Sequence, residues 1–213
     1  DPESGGCSAQ FFEELLFPQP PGHGYTIQPK DFAFAKGVVG QTSHKFALHL
    51  SYIRPNYCNT PAQNDLDKKN IGHAWTTDFN SWQPSPTDTT ALTVRAGKFD
   101  ELHVWAPTIV QRGPTFHMFY TGVDLDENNK RHQRIGAATS TDLHTWTQAD
   151  NPVLTAPQVP WVKKDPSGAP YGGAQQLRDA FVMEDPINPG QWLMYFVAVD
   201  SLREPKMAVG AAR

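Results

Sequence analysis

The chain has 213 residues, a formal net charge of −4 and no basic run, a balance that argues against a nucleic-acid partner. Aromatic residues make up 11% of it, and 16 Gly and 19 Pro punctuate it, a mix that favours many short strands and turns over long helices. No apolar run approaches the roughly 20 residues of a membrane span. Cys7 and Cys58 are too few for a disulfide scaffold or a zinc site, although the two can pair in an oxidising compartment. The first residue is Asp1 and no signal peptide is evident, so a mature or trimmed form is expected.

Taken in chain order, residues 1–24 read as an N-terminal extension. A short strand "DFAFAKGV" from Asp31 leads into an apolar strand, "KFALHLSYIR". A polar loop holding "DLDKKN" and then "IGHAWTTDFNSW", from Ile71 to Trp82, complete the first unit. The pattern returns as "WAPTIVQRG" from Trp105, "TFHMFYTGVDLDENNKRHQR", and "IGAATSTDLHTW" from Ile135 to Trp146. It returns again as "RDAFVMED" from Arg178, "QWLMYFVAVD" and "MAVGAAR". Turns bearing Gly or Pro follow the leading strands, a hairpin signal. Each unit thus holds three visible strands, and a shorter fourth is expected after the Trp corner. Repeated units of four antiparallel strands are propeller blades. The expected domain is a partial β-propeller over 25–213, with blade 1 at about 25–100, blade 2 at about 101–165 and blade 3 at about 166–213. Propellers typically have 4–8 blades, so the chain is expected to be the N-terminal part of a longer protein, its ring completed by another segment or another chain.

In the repeated corner, Asp78 and Asp142 are expected to cap the turn by accepting backbone N–H bonds. Trp82 and Trp146 should fill the gap between blades. Gly136 with Ala137, and Gly210 with Ala211, suit tight sheet-on-sheet packing. His73 stands where the second copy has Ala137, which reads as a local packing difference. Asp124, Asp126 and Asn128 match the start of a calcium loop, but Gly at the sixth place and Glu at the twelfth are missing. A solvated hairpin is therefore expected there, and no metal or cofactor.

Five stretches together resemble the five-bladed propeller glycosidases of glycoside hydrolase families 43, 32, 62 and 68: "KDFAFAK", "HVWAPTIV", "MFYTG", "IGAATSTDLHTW" and "LRDAFV". Trp-Ala-Pro points first to family 43, and the family-32 Trp-x-Asn-Asp-Pro signature is absent. The resemblance implies an all-β propeller that hydrolyses poly- or oligosaccharide, is extracellular or periplasmic, and has neither a nucleic-acid nor a membrane partner. Asp31 would be the base or nucleophile. Asp179 would orient the sugar and tune its neighbours, and Arg178 would hold Asp179 ionised or contact sugar hydroxyls. "RDAF" departs from the family pattern by Ala180 in place of Pro.

Placed in register, Asp31, Thr108 and Asp179 each open the innermost strand of a blade, which brings the two aspartates to one mouth. Glycoside cleavage needs two such carboxylate functions. In the family the proton donor is a glutamate in a fourth blade. Glu184 lies five residues past Asp179, roughly 16 Å away at about 3.3 Å per residue, too far to substitute. Glu101, His103 and Trp105 are candidates for substrate binding, although a structural histidine and a packing tryptophan are the plain alternatives. A sugar-binding propeller without hydrolysis, or an open propeller that assembles with a partner, are the rival functions.

Overall fold

The computed structural model describes residues 30–37, 47–53, 69–78, 81–84, 90–127, 129–162, 175–200 and 207–213. Cys7, Cys58 and Asn128 lie outside them. Three antiparallel sheets follow one another along the chain. The first runs β1 (Lys30–Gly37), β2 (Ala47–Ile53), β3 (Asn70–Thr76) and β4 (Gln83–Pro84), and β5 (Thr90–Thr93) also pairs with β3. The second runs β6 (His103–Arg112), β7 (Thr115–Leu125), β8 (Arg131–Ser140) and β9 (Thr147–Gln148). The third runs β10 (Leu177–Glu184), β11 (Trp192–Val199) and β12 (Met207–Ala212). The edge strands β1 and β10 both pack against β6, as the innermost strands of consecutive propeller blades do. The expected fourth strand exists as β4 and β9, each directly after its Trp corner. It is interrupted: β4 and β5 share β3, while β9 and an isolated bridge from Leu154 share β8.

The corners form as their sequence dictates. Asp142 Oδ1 accepts from the backbone N–H of His144 at 2.8 Å and of Thr145 at 2.7 Å, and from Ser140 Oγ at 3.0 Å. Asp78 Oδ1 accepts from the N–H of Ser81 at 2.8 Å and from Thr76 Oγ1 at 3.0 Å. A carboxylate satisfying several donors holds the chain in one turn, and in the second corner Leu143 takes a positive φ of 64°. Backbone hydrogen bonds to Asp142 outweigh its desolvation, so its carboxyl is held below the usual range.

Two apolar seams join the sheets. Ile71 and Leu92 of the first sheet pack with Phe99, Val104, Met118, Tyr120, Ala138 and Trp146 of the second. Phe119 and Ile135 of the second pack with Leu177, Val182, Phe196 and Ala198 of the third. Trp146 therefore fills a seam as expected. Trp82 packs with Leu50 and Ala74, the counterparts of the Met118 and Ala138 that Trp146 covers, so it lies on the corresponding face of its own sheet, the face turned away from the second sheet. The glycines are seats for aromatic rings. A Cβ on Gly136 would lie 2.6 Å from Tyr120 and 2.7 Å from Phe99, and one on Gly210 would lie 2.6 Å from Trp161 and collide with Phe196.

The loop from β5 to β6 is fixed by a buried ion pair. Asp100, fully buried, accepts from Arg95 Nη2 at 3.0 Å, Tyr120 Oη at 2.7 Å and Gln148 Nε2 at 3.0 Å. The β7–β8 turn is the expected hairpin, closed by Asp126 N–H to Lys130 O at 2.8 Å. Arg134 Nη1 lies 2.5 Å from Asp124 Oδ2.

Candidate active site

The three innermost strands break register at the same place. β1 shifts between Lys30 and Phe32, β6 between Trp105 and Thr108, and β10 between Arg178 and Phe181. In each shift a non-glycine residue takes left-handed backbone: Asp31 at φ 48°, Ala106 at 44° and Asp179 at 56°. Such a conformation costs energy for residues with a Cβ, and it persists where surrounding structure enforces it, commonly at functional sites. The bulges align Lys30-Asp31, Trp105-Ala106 and Arg178-Asp179.

This corrects the expected register. Ala106 is the counterpart of the aspartates, and Thr108 lies two residues further along, buried. None of the three opens its strand: β1 begins at Lys30, β6 at His103 and β10 at Leu177. The cause is the bulge itself, which inserts residues that a regular ladder does not count. Setting the three stretches one above another, "KDFA", "WAPT" and "RDAF", would have shown it.

Asp31 is exposed. The Asp179 carboxylate is 44% exposed and pairs with Arg178 Nε at 3.3 Å. Arg178 is itself fixed, donating from Nη1 to Gln176 Oε1 at 2.7 Å and to Gln133 Oε1 of β8 at 3.2 Å. The Asp179 N–H donates to Thr121 Oγ1 of β7 at 3.0 Å, so the third bulge is tied to the second sheet. Thr121, Gln133 and Gln176 carry no sequence signal that separates them from other polar strand residues. An ordered guanidinium beside an accessible carboxylate holds that carboxylate in one orientation.

Trp105 is half-buried and sits across the ladder from Thr121, on the same face, which brings it beside the Asp179 backbone. His103 is fully buried and stacks on Trp105 with ring centroids 5.2 Å apart. It therefore supports the tryptophan from beneath and is inaccessible to a sugar. Glu101 accepts from the Gly97 N–H at 2.9 Å. It lines a cleft of about 360 Å³ with Lys98, Phe99, Asp124, Arg134 and Pro152, a lining that includes none of Asp31, Arg178 and Asp179. The structure thus brings together Arg178, Asp179 and, through Thr121, Trp105. It sets Asp31 at the matching bulge beyond β6, buries His103 beneath Trp105, and leaves Glu101 apart from them.

Residues 51–209, well over half of the chain, match the family described as glycosyl hydrolases family 32 N-terminal domain. No curated protein matches the chain. Among solved structures, the chain is similar to the sucrose-6-phosphate hydrolase from Lactobacillus gasseri, with TM-score 0.58 and 15% identity over 88% of this chain and 33% of that one. It is similar to Zg3597, a family 117 glycoside hydrolase from Zobellia galactanivorans, with TM-score 0.58 and 15% identity over 92% of this chain and 54% of that one. The Bombyx mori GH32 beta-fructofuranosidase BmSUC1 gives TM-score 0.55 and 16% identity over 87% and 34%. At these identities the likeness is one of fold, and the chain spans from 33% to 54% of those lengths. The Trp-Ala-Pro stretch points to family 43, yet the match falls on family 32 within the same group of propeller glycosidases. The chain belongs to the glycosyl hydrolase family 32 N-terminal domain family.

Proposed function

We propose that the complete protein is a glycoside hydrolase that cleaves arabinose-, xylose- or fructose-containing poly- or oligosaccharide outside the cytoplasm. The observation that carries this reading is the pair of strained bulges that set Asp31 and Asp179 at corresponding positions of two innermost strands flanking β6. Such strands line a propeller's central channel, where the two carboxylates would meet one glycosidic bond.

In this reading Asp31, which is exposed, acts on the anomeric carbon. It does so either directly as nucleophile or as the base that activates water. Asp179, held in one orientation by Arg178, orients the sugar hydroxyls. Its negative charge also raises the pKa of a nearby proton donor. Trp105 offers a ring face for stacking the sugar. The proton donor, by family resemblance a glutamate of a fourth blade, comes from a further segment or another chain, as do the blades that close the ring.

The test is release of reducing sugar by the complete protein from arabinan, xylan, fructan and aryl glycosides across pH. Hydrolysis of one of these classes is expected, with Asp179→Asn lowering the rate and shifting the pH profile. Tight binding of a polysaccharide with no release from any substrate would replace the enzyme by a sugar-binding propeller.

A further inference from the structure

Three histidines from two sheets converge at the outer part of the first seam. His49 is on β2 and His73 is on β3, both fully buried. His144 reaches in from the corner after β8. The His49 and His73 rings are stacked at 5.2 Å, and His144 stands edge-on to both, at 5.1 and 5.0 Å. His49 Nδ1 faces His73 Nε2 at 3.0 Å, and one ring nitrogen from each of the three lies within 4.8 Å of the others.

Packing alone explains this arrangement poorly. Among the described residues, one hydrogen bond between His49 and His73 leaves His49 Nε2, His73 Nδ1 and His144 Nδ1 buried without a partner. Ser51 Oγ, paired in register with His73, is buried and unpartnered as well. Buried polar atoms are rarely left unsatisfied, so this polar pocket is not ordinary packing; the ring nitrogens an ion would take are the mutually close set, one from each histidine. Gly37 adds room, because a Cβ there would lie 3.5 Å from His49 Nε2 and 2.5 Å from Leu143. Burial holds all three rings below the ordinary histidine range, with His49 at about 4.

The geometry favours a metal of definite type. Bonds of about 2.0–2.1 Å from a tetrahedral ion place two ring nitrogens roughly 3.3 Å apart. The facing His49 and His73 nitrogens are already close to that separation, and the half-buried corner lets His144 close the rest. An all-imidazole set suits zinc, cobalt, nickel or copper, whereas calcium and magnesium require oxygen ligands. The Asp142 carboxylate is near enough to act electrostatically on the rings, which favours a cation.

We propose that His49, His73 and His144 form a divalent transition-metal site, of zinc type, that staples the first sheet to the corner of the second. The site lies beside Gly37, at the far end of β1 from Asp31. Six residues at about 3.3 Å each put it roughly 20 Å from that carboxylate. The ion is therefore structural, acting on the seam and not on the sugar.

The test uses tag-free, chelator-treated protein titrated with Zn²⁺ and with Co²⁺. One ion per chain is expected, with visible ligand-field absorption for Co²⁺ and a melting temperature that rises with Zn²⁺ concentration, as binding to the folded state requires. His144→Ala should weaken binding at least tenfold and remove the thermal shift. His117→Ala, in the second seam, should change neither. The wild-type Co²⁺ spectrum decides the matter even if His144→Ala folds poorly. Absence of Co²⁺ absorption and of Zn²⁺ binding in the folded wild type, or equal binding by a folded His144→Ala, would overturn the proposal.

Discussion

The two seams between sheets are built on one register and filled differently. Leu48 pairs with Thr76 and Phe116 pairs with Ser140, and Thr76 and Ser140 begin equivalent corners. His49 and His117 are therefore counterparts, as are His73 and Ala137. In the first seam this neighbourhood holds three histidines and, further along, the Arg95–Asp100–Tyr120–Gln148 network. In the second it holds His117 edge-on to Trp192 at 4.8 Å, Phe119 at 5.7 Å from the same ring, and Arg112 over that ring at 4.0 Å. Both seams seat aromatic rings on glycines of the third strand. The scaffold thus demands the glycine and the ring, and leaves the rest of the seam free. Polar groups are concentrated in the first seam, where each must find a partner.

The contrast can be broken most forcefully at Asp100. Asp100→Ala removes the fully buried acceptor shared by Arg95, Tyr120 and Gln148, and removal of one partner from a buried pair costs about 3–5 kcal/mol. Chemical denaturation should register a loss of that size. The shared feature should respond alike in both seams. Gly136→Ala and Gly210→Ala each drive a methyl into a packed ring, and overpacking costs about 1–3 kcal/mol. A large difference between the two would show that the seams are not equivalent in their glycine seats.

Tyr120→Phe is a finer probe. It removes one donor to Asp100, a loss of about 1.5–3 kcal/mol for a bond to a charged group. Burial, with help from Asp100, pushes the Tyr120 hydroxyl above its ordinary value of 10.0. The unfolded state therefore loses this proton first, and the stabilisation is complete below about pH 10 and fades as pH rises through the folded value. Urea melts in that range should show an alkaline loss in the wild type that is smaller in Tyr120→Phe. Arg112→Ala in the second seam should be mildest, at about 0.5–1 kcal/mol, because the cation–π contact is exposed.

Much of this was legible in the sequence. The doubled corner named its own capping aspartates, Asp78 and Asp142, because a turn that needs several N–H acceptors is a local property. Gly136 and Gly210 were legible for the same reason: a small residue in an aromatic-rich repeat has few other uses. What escaped notice depends on pairing between distant strands. Ala106 hid behind Thr108 because a bulge breaks the count along the strand. His73 read as a packing difference, since His49 joins it only when β2 pairs with β3, and His144 only when two sheets meet. Glu101 read as a wall of the mouth until its loop closed on Gly97.

The claim that Asp31 is the base or nucleophile is tested most directly by hydrolysis in the complete protein carrying Asp31→Asn. The two side chains are nearly isosteric, so circular dichroism and melting temperature should match the wild type. Loss of a general base costs about 10²–10⁴ in rate, and the account predicts a fall in kcat at least that large. Wild-type turnover by a folded Asp31→Asn protein would contradict it.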